Sequence, residues 1–396
     1  MSSSATTTAM GSPSISSPVS SSAPAIDWRA YRSVIGLGLV MLILAYLTDW
    51  DFVSARNLTN LSRQVAINGI LAVGMTFVIL IGGIDLSVGS VAALSGVVAG
   101  LLQVNVGLAQ WQGGGEVGGA LISMGAAILT GLFCGVFNGF LITRYRIAPF
   151  IITLGMMVIS RGLALIVSDG AAIAPLGDTF NALGQNYLPI PLTLVLVGLA
   201  GLGFASSQVL RKERTGENWM NAGFTLAVTG VALWAFQGYR GLPLPVLIFA
   251  LLGWVGSLVL QRMRLGRFIL AIGGNSEAAW LAGVPIRKIT FGIYVTLGAL
   301  AGLCGAILSA RLNGALPTAG DLFELDAIAA VVIGGTSLLG GIGTVRGSIL
   351  GAFFIGALNN GMSLMGVSEF YQKVIKGVII ILAVWFDTRQ SRAPRT

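Results

Sequence analysis

A single acidic residue, Asp85, lies in the middle of a strongly apolar part of the chain, within the stretch VILIGGIDLSVGS. An acid placed inside a long apolar segment usually finds a partner there and marks the path of an ion or a polar substrate. Asp85 with Ser87 beside it also fits the start of a helix, where a carboxylate accepts backbone N–H bonds. The two roles are compatible, and the sequence leaves both open.

The chemistry that the chain lacks narrows its function. Histidine is absent from all 396 residues, which removes the most common general base and metal ligand. The two cysteines, Cys134 and Cys304, have no metal-ligand spacing. No glycine-rich loop ends in Gly-Lys-Ser or Gly-Lys-Thr, the sequence that cradles nucleotide phosphates. We therefore expect no catalytic residue, no metal and no cofactor, and any energy from ATP has to come through another chain.

The composition is that of an integral membrane protein. Hydrophobic residues make up 55% of the chain and charged residues only 10%, against about 25% charged residues in a soluble domain. Gly is abundant at 56 residues, which suits helices that pack closely inside lipid. We predict an all-α, polytopic membrane protein with about ten to twelve membrane segments, some of them broken or re-entrant. The apolar runs lie near 34–49, 67–81, 86–104, 117–142, 149–167, 189–206, 221–237, 243–261, 289–310, 326–341, 347–366 and 373–387.

The positive charges favour one side of the membrane. If the N-terminus and the loop 262–288 share a side, that side holds sixteen of the 23 Lys and Arg residues and the other side holds five. The remaining two, Arg161 and Lys376, fall within spans. The positive-inside rule then puts both termini in the cytoplasm. This arrangement accounts for the net charge of +8, so nucleic-acid binding is not needed to explain it.

The polar segments divide the chain around one membrane domain. Residues 1–28, rich in Ser, Ala, Thr and Pro, are typical of a disordered cytoplasmic tail. Residues 29–387 are expected to form a single transmembrane domain, followed by a second cytoplasmic tail at 388–396. Within the domain, 207–220 is a basic cytoplasmic loop and 262–288 is another.

A weak internal repeat divides the domain into two related halves. The stretch AVVIGGTSLLGGIG at 330–343 resembles the one around Asp85, and the alignment superposes Gly334 on Gly82. Each copy ends an apolar run with paired glycines and continues with a possible helix cap, Asp85 in one and Ser337 in the other. Helices that break at membrane depth expose backbone to a cavity or to protein, and paired breaks point to a transport path between the halves.

The stretch RLGRFILAIGGNSEAAWLAGVPIRK at 264–288 contains a short helix with both ends marked. Asn275 or Ser276 is suited to cap its start. Glu277 suits the positive end of the helix dipole, and Gly283, followed by a proline, ends the helix. Six or seven helical residues extend roughly 10 Å, too short to cross a bilayer. The helix therefore has another purpose.

Longer blocks around these motifs resemble the permease subunits of bacterial ABC importers for monosaccharides. The most specific blocks are AVGMTFVILIGGIDLSVGS at 72–90, AIGGNSEAAWLAGV at 271–284 and PTAGDLFELDAIAAVVIGGTSLLGGIGTVRG at 317–347. The similarity runs from about residue 50 to 387, and the D-xylose subtype matches best, with ribose permeases next. Ribose-type permeases are shorter, and the extra material around 190–240 resembles the xylose subtype.

The resemblance implies a function and a set of partners. The expected function is the import of a monosaccharide, D-xylose first, through the bacterial inner membrane by alternating access, with no enzyme activity in this chain. The expected partners are a second permease copy forming a homodimer, cytoplasmic ATP-binding cassette subunits, a periplasmic sugar-binding protein and the lipid bilayer.

The resemblance also gives the short helix a role. In related permeases a short cytoplasmic helix docks in a groove on the ATPase, and Trp280 and Leu281 are suited to be apolar anchors for such docking. An amphipathic connector lying on lipid is the alternative. The predicted coupling residues are Asn275, Ser276, Glu277, Ala278, Ala279, Trp280, Leu281 and Gly283.

Two further sets of residues are candidates for the sugar path and for docking of the binding protein. A sugar path needs hydroxyl-bonding groups among apolar walls, and the candidates within spans are Asp85, Ser87, Asn138, Asn359, Asn360 and Ser363. An acidic cluster of Asp321, Glu324 and Asp326 is suited to dock a binding protein through complementary charge. A solvated loop, or acids at the start of a helix, explains this cluster equally well.

Two other classes of protein remain as alternatives. A proton-coupled secondary sugar transporter would use Asp85 as its proton site, and a non-transporting receptor would bind a sugar-loaded periplasmic protein without moving solute. An importer for ribose, arabinose or galactose is the alternative within the ABC class, since these sugars present similar hydroxyls.

Overall fold

The apolar runs of the sequence fold into helices. The computed structural model describes residues 32–110, 113, 115–210 and 216–392, and these residues form fifteen α-helices. The first eight are α1 (Arg32–Leu47), α2 (Ala55–Leu80), α3 (Val88–Val104), α4 (Gly115–Tyr145), α5 (Pro149–Val167), α6 (Asp178–Gln185), α7 (Ile190–Val209) and α8 (Gly216–Gln237). The others are α9 (Leu244–Arg262), α10 (Arg264–Gly274), α11 (Ser276–Leu281), α12 (Ile286–Leu312), α13 (Phe323–Ile333), α14 (Val345–Leu364) and α15 (Glu369–Arg392).

Seven of the described helices are long and apolar enough to cross a membrane. They are α2, α4, α5, α7, α8, α9 and α12, and α1 and α3 contain shorter apolar helices. With α13, α14 and α15, which are shorter or more polar, these helices coincide with the twelve apolar runs of the sequence. The prediction of an all-α, polytopic membrane protein is confirmed.

Glycines bring the two longest helices, α4 and α12, into backbone contact. A Cβ atom added at Gly131 would collide with the carbonyl oxygen of Gly298, and one added at Gly298 would collide with that of Gly131. The next turn repeats the pattern, because a Cβ at Gly135 would meet the carbonyl oxygen of Tyr294 at 2.5 Å. Small residues are the usual means of such close packing inside lipid. Since α12 has 27 residues, this seam belongs to a helix about 40 Å long.

The two halves break their helices in the same way. After α2, Gly82 adopts a φ of 78°, and the N–H groups of Gly82 and Gly83 donate to carbonyls of the last turn. After α13, Gly335 adopts a φ of 86°, and its N–H and that of Thr336 repeat both bonds. Both ends are Schellman motifs with glycine in the left-handed position. The equivalent of Gly82 is therefore Gly335, one residue beyond the Gly334 that the sequence alignment superposes on it.

The apolar run at 326–341 breaks at its paired glycines, as the internal repeat predicts, because α13 ends at Ile333 and residues 334–344 form a loop. Two other predicted boundaries are wrong. The cap of the following helix is Thr344, whose hydroxyl accepts from the N–H of Gly347 at 3.1 Å, and not Ser337. The predicted tail 388–396 begins inside α15, which continues to Arg392. The predicted tail 1–28, residues 211–215 of the basic loop 207–220 and residues 393–396 lie outside the described residues.

Helices α7 and α8 form a hairpin whose two ends are joined. Within it, the amide of Gln208 donates to the hydroxyl of Thr225 at 3.0 Å. At its base, the N–H of Leu188 donates to the carbonyl of Leu242 at 2.8 Å, and the chain on either side forms an antiparallel bridge. The extra residues predicted around 190–240 therefore form one helical hairpin, which leaves the bundle and returns to it at the same place.

The bundle has two ends that matter for the sites below. We call the end that carries α10 and α11 the α11 end. Because α12 starts beside α11 and runs the length of the bundle, the loop 313–322 that follows it lies at the opposite end, which we call the far end.

Candidate functional site

The short helix α11 is closed at both ends, as its sequence predicts. The side chain of Asn275 caps the start and accepts from the N–H of Ala278 at 2.9 Å. At the other end Gly283 adopts a φ of 79°, and its N–H and that of Val284 donate to carbonyls of the helix in a second pair of Schellman bonds. Six residues thus form a stable short helix, because the caps supply partners for backbone groups that a helix leaves unpaired at its ends.

One face of α11 is anchored and the other is open. Ala279 and Val284 are buried, at 4% and 8% exposure. Trp280 and Leu281 are 67% and 73% exposed, so two large apolar side chains face outward from this end of the bundle. The remaining predicted coupling residues, Asn275, Ser276, Glu277, Ala278 and Gly283, are also exposed. The exposed cations Arg262, Arg264, Arg267, Arg287 and Lys288 lie in the segments next to α11.

Three of the predicted path residues form one buried polar cluster. The Asp85 carboxylate accepts from the N–H and the hydroxyl of Ser87, at 2.7 and 2.6 Å. The amide of Asn138 donates to the same hydroxyl at 3.2 Å. Ser87, and not Asp85, is the N-cap of α3, so Asp85 supports the helix start by binding the N–H of its cap residue.

The space beside this cluster is too small for a sugar. A cavity of about 10 Å³, room for about one water molecule, is bordered by Asp85, Ser87, Asn138 and Gly298. The Asn138 amide oxygen is buried and has no hydrogen-bond partner among the described residues. In this conformation the cluster is closed.

A second polar cluster is centred on Asp326. Its carboxylate accepts from Lys376 at 3.1 Å, from Asn359 at 3.2 Å and from Asn68 at 3.4 Å. The Asp326 side chain is 4% exposed and that of Lys376 is 20% exposed, so this is an ion pair largely removed from solvent. The amide oxygens of Asn68 and Asn359 are buried without a partner in the described part of the chain. Four residues from four helices thus meet at one carboxylate.

This second cluster lies beneath a cavity at the far end. The cavity has a volume of about 690 Å³ and is lined by Arg161 of α5, by Thr318 and Asp321 of the loop before α13, and by Gln372, Lys373 and Lys376 of α15. Lys376 borders the cavity and binds Asp326 below it. Arg161 donates to the carbonyls of Pro317 at 2.6 Å and Ala319 at 3.0 Å, so it holds this loop against α5.

The remaining predicted residues have other surroundings. Asn360 exchanges amide hydrogen bonds with Asn57 at 2.8 and 3.1 Å, which joins α14 to α2 and leaves it away from both clusters. Ser363 is exposed and donates to the carbonyl of Asn359 at 2.9 Å. Neither residue lines the far-end cavity.

The predicted acidic docking cluster is divided by the fold. Glu324 and Asp326 are buried, at 8% and 3% exposure, so they do not offer charge to a docking protein in this conformation. Asp321 is exposed, and its carboxylate pairs with Lys373 at 2.8 Å. The three residues are therefore not one docking surface, because α13 turns two of them inward.

The sequence interpretation missed Asn68 and the partner of Lys376. Asn68 is an uncharged polar residue inside an apolar run, the same signal that identified Asn138. Lys376 was recognisable as a cation inside a span, but its partner lies on another helix, 50 residues away in sequence.

Comparison with known proteins identifies the family of this chain. Residues 57–384 match the model of a family described as "Branched-chain amino acid transport system / permease component". The xylose transport system permease protein XylH of Escherichia coli is 37% identical over 377 residues, covering 93% of each chain. That of Haemophilus influenzae is 38% identical over 378 residues, 93% of this chain and 98% of the relative. The ribose import permease protein RbsC of Bacillus subtilis is 38% identical over 358 residues, 90% of this chain and 92% of the relative.

No solved structure matches the chain. The family match covers most of the described helices, from the start of α2 to the last part of α15. The chain is therefore a membrane permease and belongs to this family of transport-system permease components.

Proposed function

We propose that this chain is the transmembrane subunit of an ATP-binding cassette importer that carries a monosaccharide, D-xylose first, into the bacterial cytoplasm. The family description names amino acids, but relatives that align over at least 90% of this chain include permeases named for xylose and ribose. Identity does not separate the two sugars, at 37% and 38%. Xylose is preferred because the alignment to its permeases covers 93% of this chain and that to the ribose permease covers 90%.

The observation that carries this proposal is the exposed apolar face of α11. A helix of six residues with two independent end closures is a rigid projection, and Trp280 and Leu281 at its surface are suited to fill a pocket on another protein. By the positive-inside rule, the cations around it support a cytoplasmic location for this end and for both chain termini. A cytoplasmic ATPase subunit is the partner that meets a permease there.

The far-end cavity is the proposed entrance of the sugar path. Its volume of about 690 Å³ lies in the range of small-molecule sites, and most of its lining side chains bear hydrogen-bonding groups. The Asp326 and Asp85 clusters lie on the two broken segments, which are the expected places for a path between related halves. In this conformation the Asp85 cluster is closed and the Asp326 carboxylate is buried beneath the cavity, so a change of conformation has to open the path.

A homodimer is the proposed assembly. The cavity is lined in part by α5 and α15, which also carry exposed large apolar side chains, among them Val158 at 64%, Ile166 at 72% and Val374 at 65% exposure. A second copy against these helices would close the cavity and shield its charged groups from lipid, where they are costly. A periplasmic sugar-binding protein would deliver the sugar at the far end.

The test is capture of the ATPase subunit by α11. A photo-crosslinker at position 280, in vesicles with the complete transporter, is expected to trap the ATPase, and Trp280→Ala with Leu281→Ala to abolish its co-purification. Trp254 of α9 is 61% exposed and provides the control: Trp254→Ala should leave capture unchanged. Sugar uptake by the purified chain with a proton gradient and no ATPase would instead support a secondary transporter.

A further inference from the structure

Three backbone segments meet at the α11 end without intervening side chains. The first is the end of α2, at its last residue Leu80. The second is the end of α10, at Gly273. The third is the loop between α13 and α14, at Gly340 and Gly341. The N–H of Gly341 donates to the carbonyl of Leu80 at 2.9 Å. A Cβ atom at Gly273 would collide with that carbonyl and with the N–H of Gly341. We call these four residues the glycine junction.

The junction requires glycine for two separate reasons. Gly340 and Gly341 adopt φ values of 89° and 74°, a left-handed backbone that side chains disfavour. Gly273 has no such constraint and is required only because the other two segments occupy the space of its Cβ. The adjacent Gly274 provides a contrast, since a Cβ added there meets no atom within 4 Å.

The junction joins the three parts of the molecule that the proposed mechanism has to move together. Gly274 directly precedes Asn275, the cap of α11. Leu80 ends α2 immediately before the loop that carries Asp85, and Gly341 lies in the loop that follows α13, the helix of Asp326. The segment that leads into α11 is thus in backbone contact with the ends of both broken segments.

We propose that the glycine junction transmits displacement of α11 to both broken segments, and so couples the ATPase to the two polar clusters of the path. This inference rests on the proposed function. Contacts between backbones have no rotamer freedom to absorb a shift, so a small displacement of Gly273 moves the loop and the end of α2 with it. A side chain between the segments would add slack and separate them.

The test compares Gly273→Ala with Gly274→Ala in the complete transporter reconstituted in liposomes. Gly273→Ala is expected to keep co-purification with the ATPase, to lower sugar uptake about tenfold, and to raise the number of ATP molecules hydrolysed per sugar. Gly274→Ala is expected to match the wild type in all three measurements. If Gly273→Ala transports sugar with wild-type stoichiometry, the inference is wrong.

A second variant covers the case in which Gly273→Ala fails to fold. One glycine inserted between Gly274 and Asn275 leaves every junction contact in place but lengthens the connection to α11. It is expected to keep ATPase capture and to uncouple hydrolysis from uptake, and wild-type coupling in this variant would also overturn the inference. If the wild-type permease captures no ATPase at all, the proposed function fails instead, and the two failures are distinguishable.

Discussion

The ion pair of Asp326 and Lys376 is buried, and we predict that it contributes more to stability than the shorter, exposed pair of Asp321 and Lys373. Lys376→Met leaves the Asp326 carboxylate 4% exposed with two amide donors and no counter-charge. Removing one partner of a buried pair costs about 3–5 kcal/mol, because the remaining charge stays desolvated. Lys376 itself keeps 20% exposure, so the lower end of that range, about 3 kcal/mol, is expected.

The control lies on the same helix. Lys373 pairs with Asp321 at a shorter distance, 2.8 Å, but the two side chains are 53% and 57% exposed. Exposed pairs contribute little because water and salt screen them and two flexible side chains must be ordered. Lys373→Met is therefore expected to leave stability at the wild-type value.

The measurement is the fraction of detergent-solubilised permease that remains monodisperse after heating through a temperature series. Lys376→Met is expected to lose monodispersity at a clearly lower temperature than Lys373→Met. The double variant Asp326→Asn with Lys376→Met removes both charges and should recover most of the loss. Equal behaviour of the two single lysine variants, or no recovery in the double variant, would refute the reasoning.

Three further predictions concern the cap, a polar pair and the helix seam. Asn275→Ala removes the side-chain cap of α11 and should cost the helix about 1 kcal/mol, measured as weaker co-purification of the ATPase. Ser276→Ala removes no cap bond and should leave co-purification unchanged. Equal effects of the two variants would argue against a preformed helix. Asn57→Leu leaves the buried amide of Asn360 without its partner, whereas Asn360→Leu leaves the half-buried Asn57 amide with its bond to the carbonyl of Phe52. A double-mutant cycle on heat stability should give a coupling of about 1 kcal/mol, and additive losses would contradict the reciprocal amide pair. Gly298→Ala forces α12 away from α4 and should cost about 1–3 kcal/mol of stability. Gly292→Ala on the same helix meets open space and should be tolerated. Similar expression and monodispersity of the two variants would show that α4 and α12 can accommodate a larger side chain between them.

Local sequence signals predicted the helices and the short coupling element well. The limits of α1, α5 and α9 agree with their apolar runs to within a few residues, because a membrane helix is defined by its own composition. The cap of α11 by Asn275 and its end at Gly283 were also predictable, since both depend on residues within one turn of the helix end.

Features that depend on distant contacts were not predictable in the same way. The paired glycines predicted the break after α13, but the loop continues to residue 344 and the cap of α14 is Thr344 instead of Ser337. Helix α10 was missed because the charged Arg264 and Arg267 obscured the periodic burial of Ile269 and Ile272. The Asp326 cluster required helix packing that brings Asn68 to Asp326, 258 positions away in the chain.

The joined ends of the α7–α8 hairpin bear on how permeases of different length can have one architecture. Because Leu188 and Leu242 are already hydrogen-bonded partners, a chain that omitted everything between them would need only a tight turn at this point. Neither α6 nor α9 would have to shift. Insertion or deletion of these two helices is thus a local change in the chain, which leaves the geometry of both halves as it was.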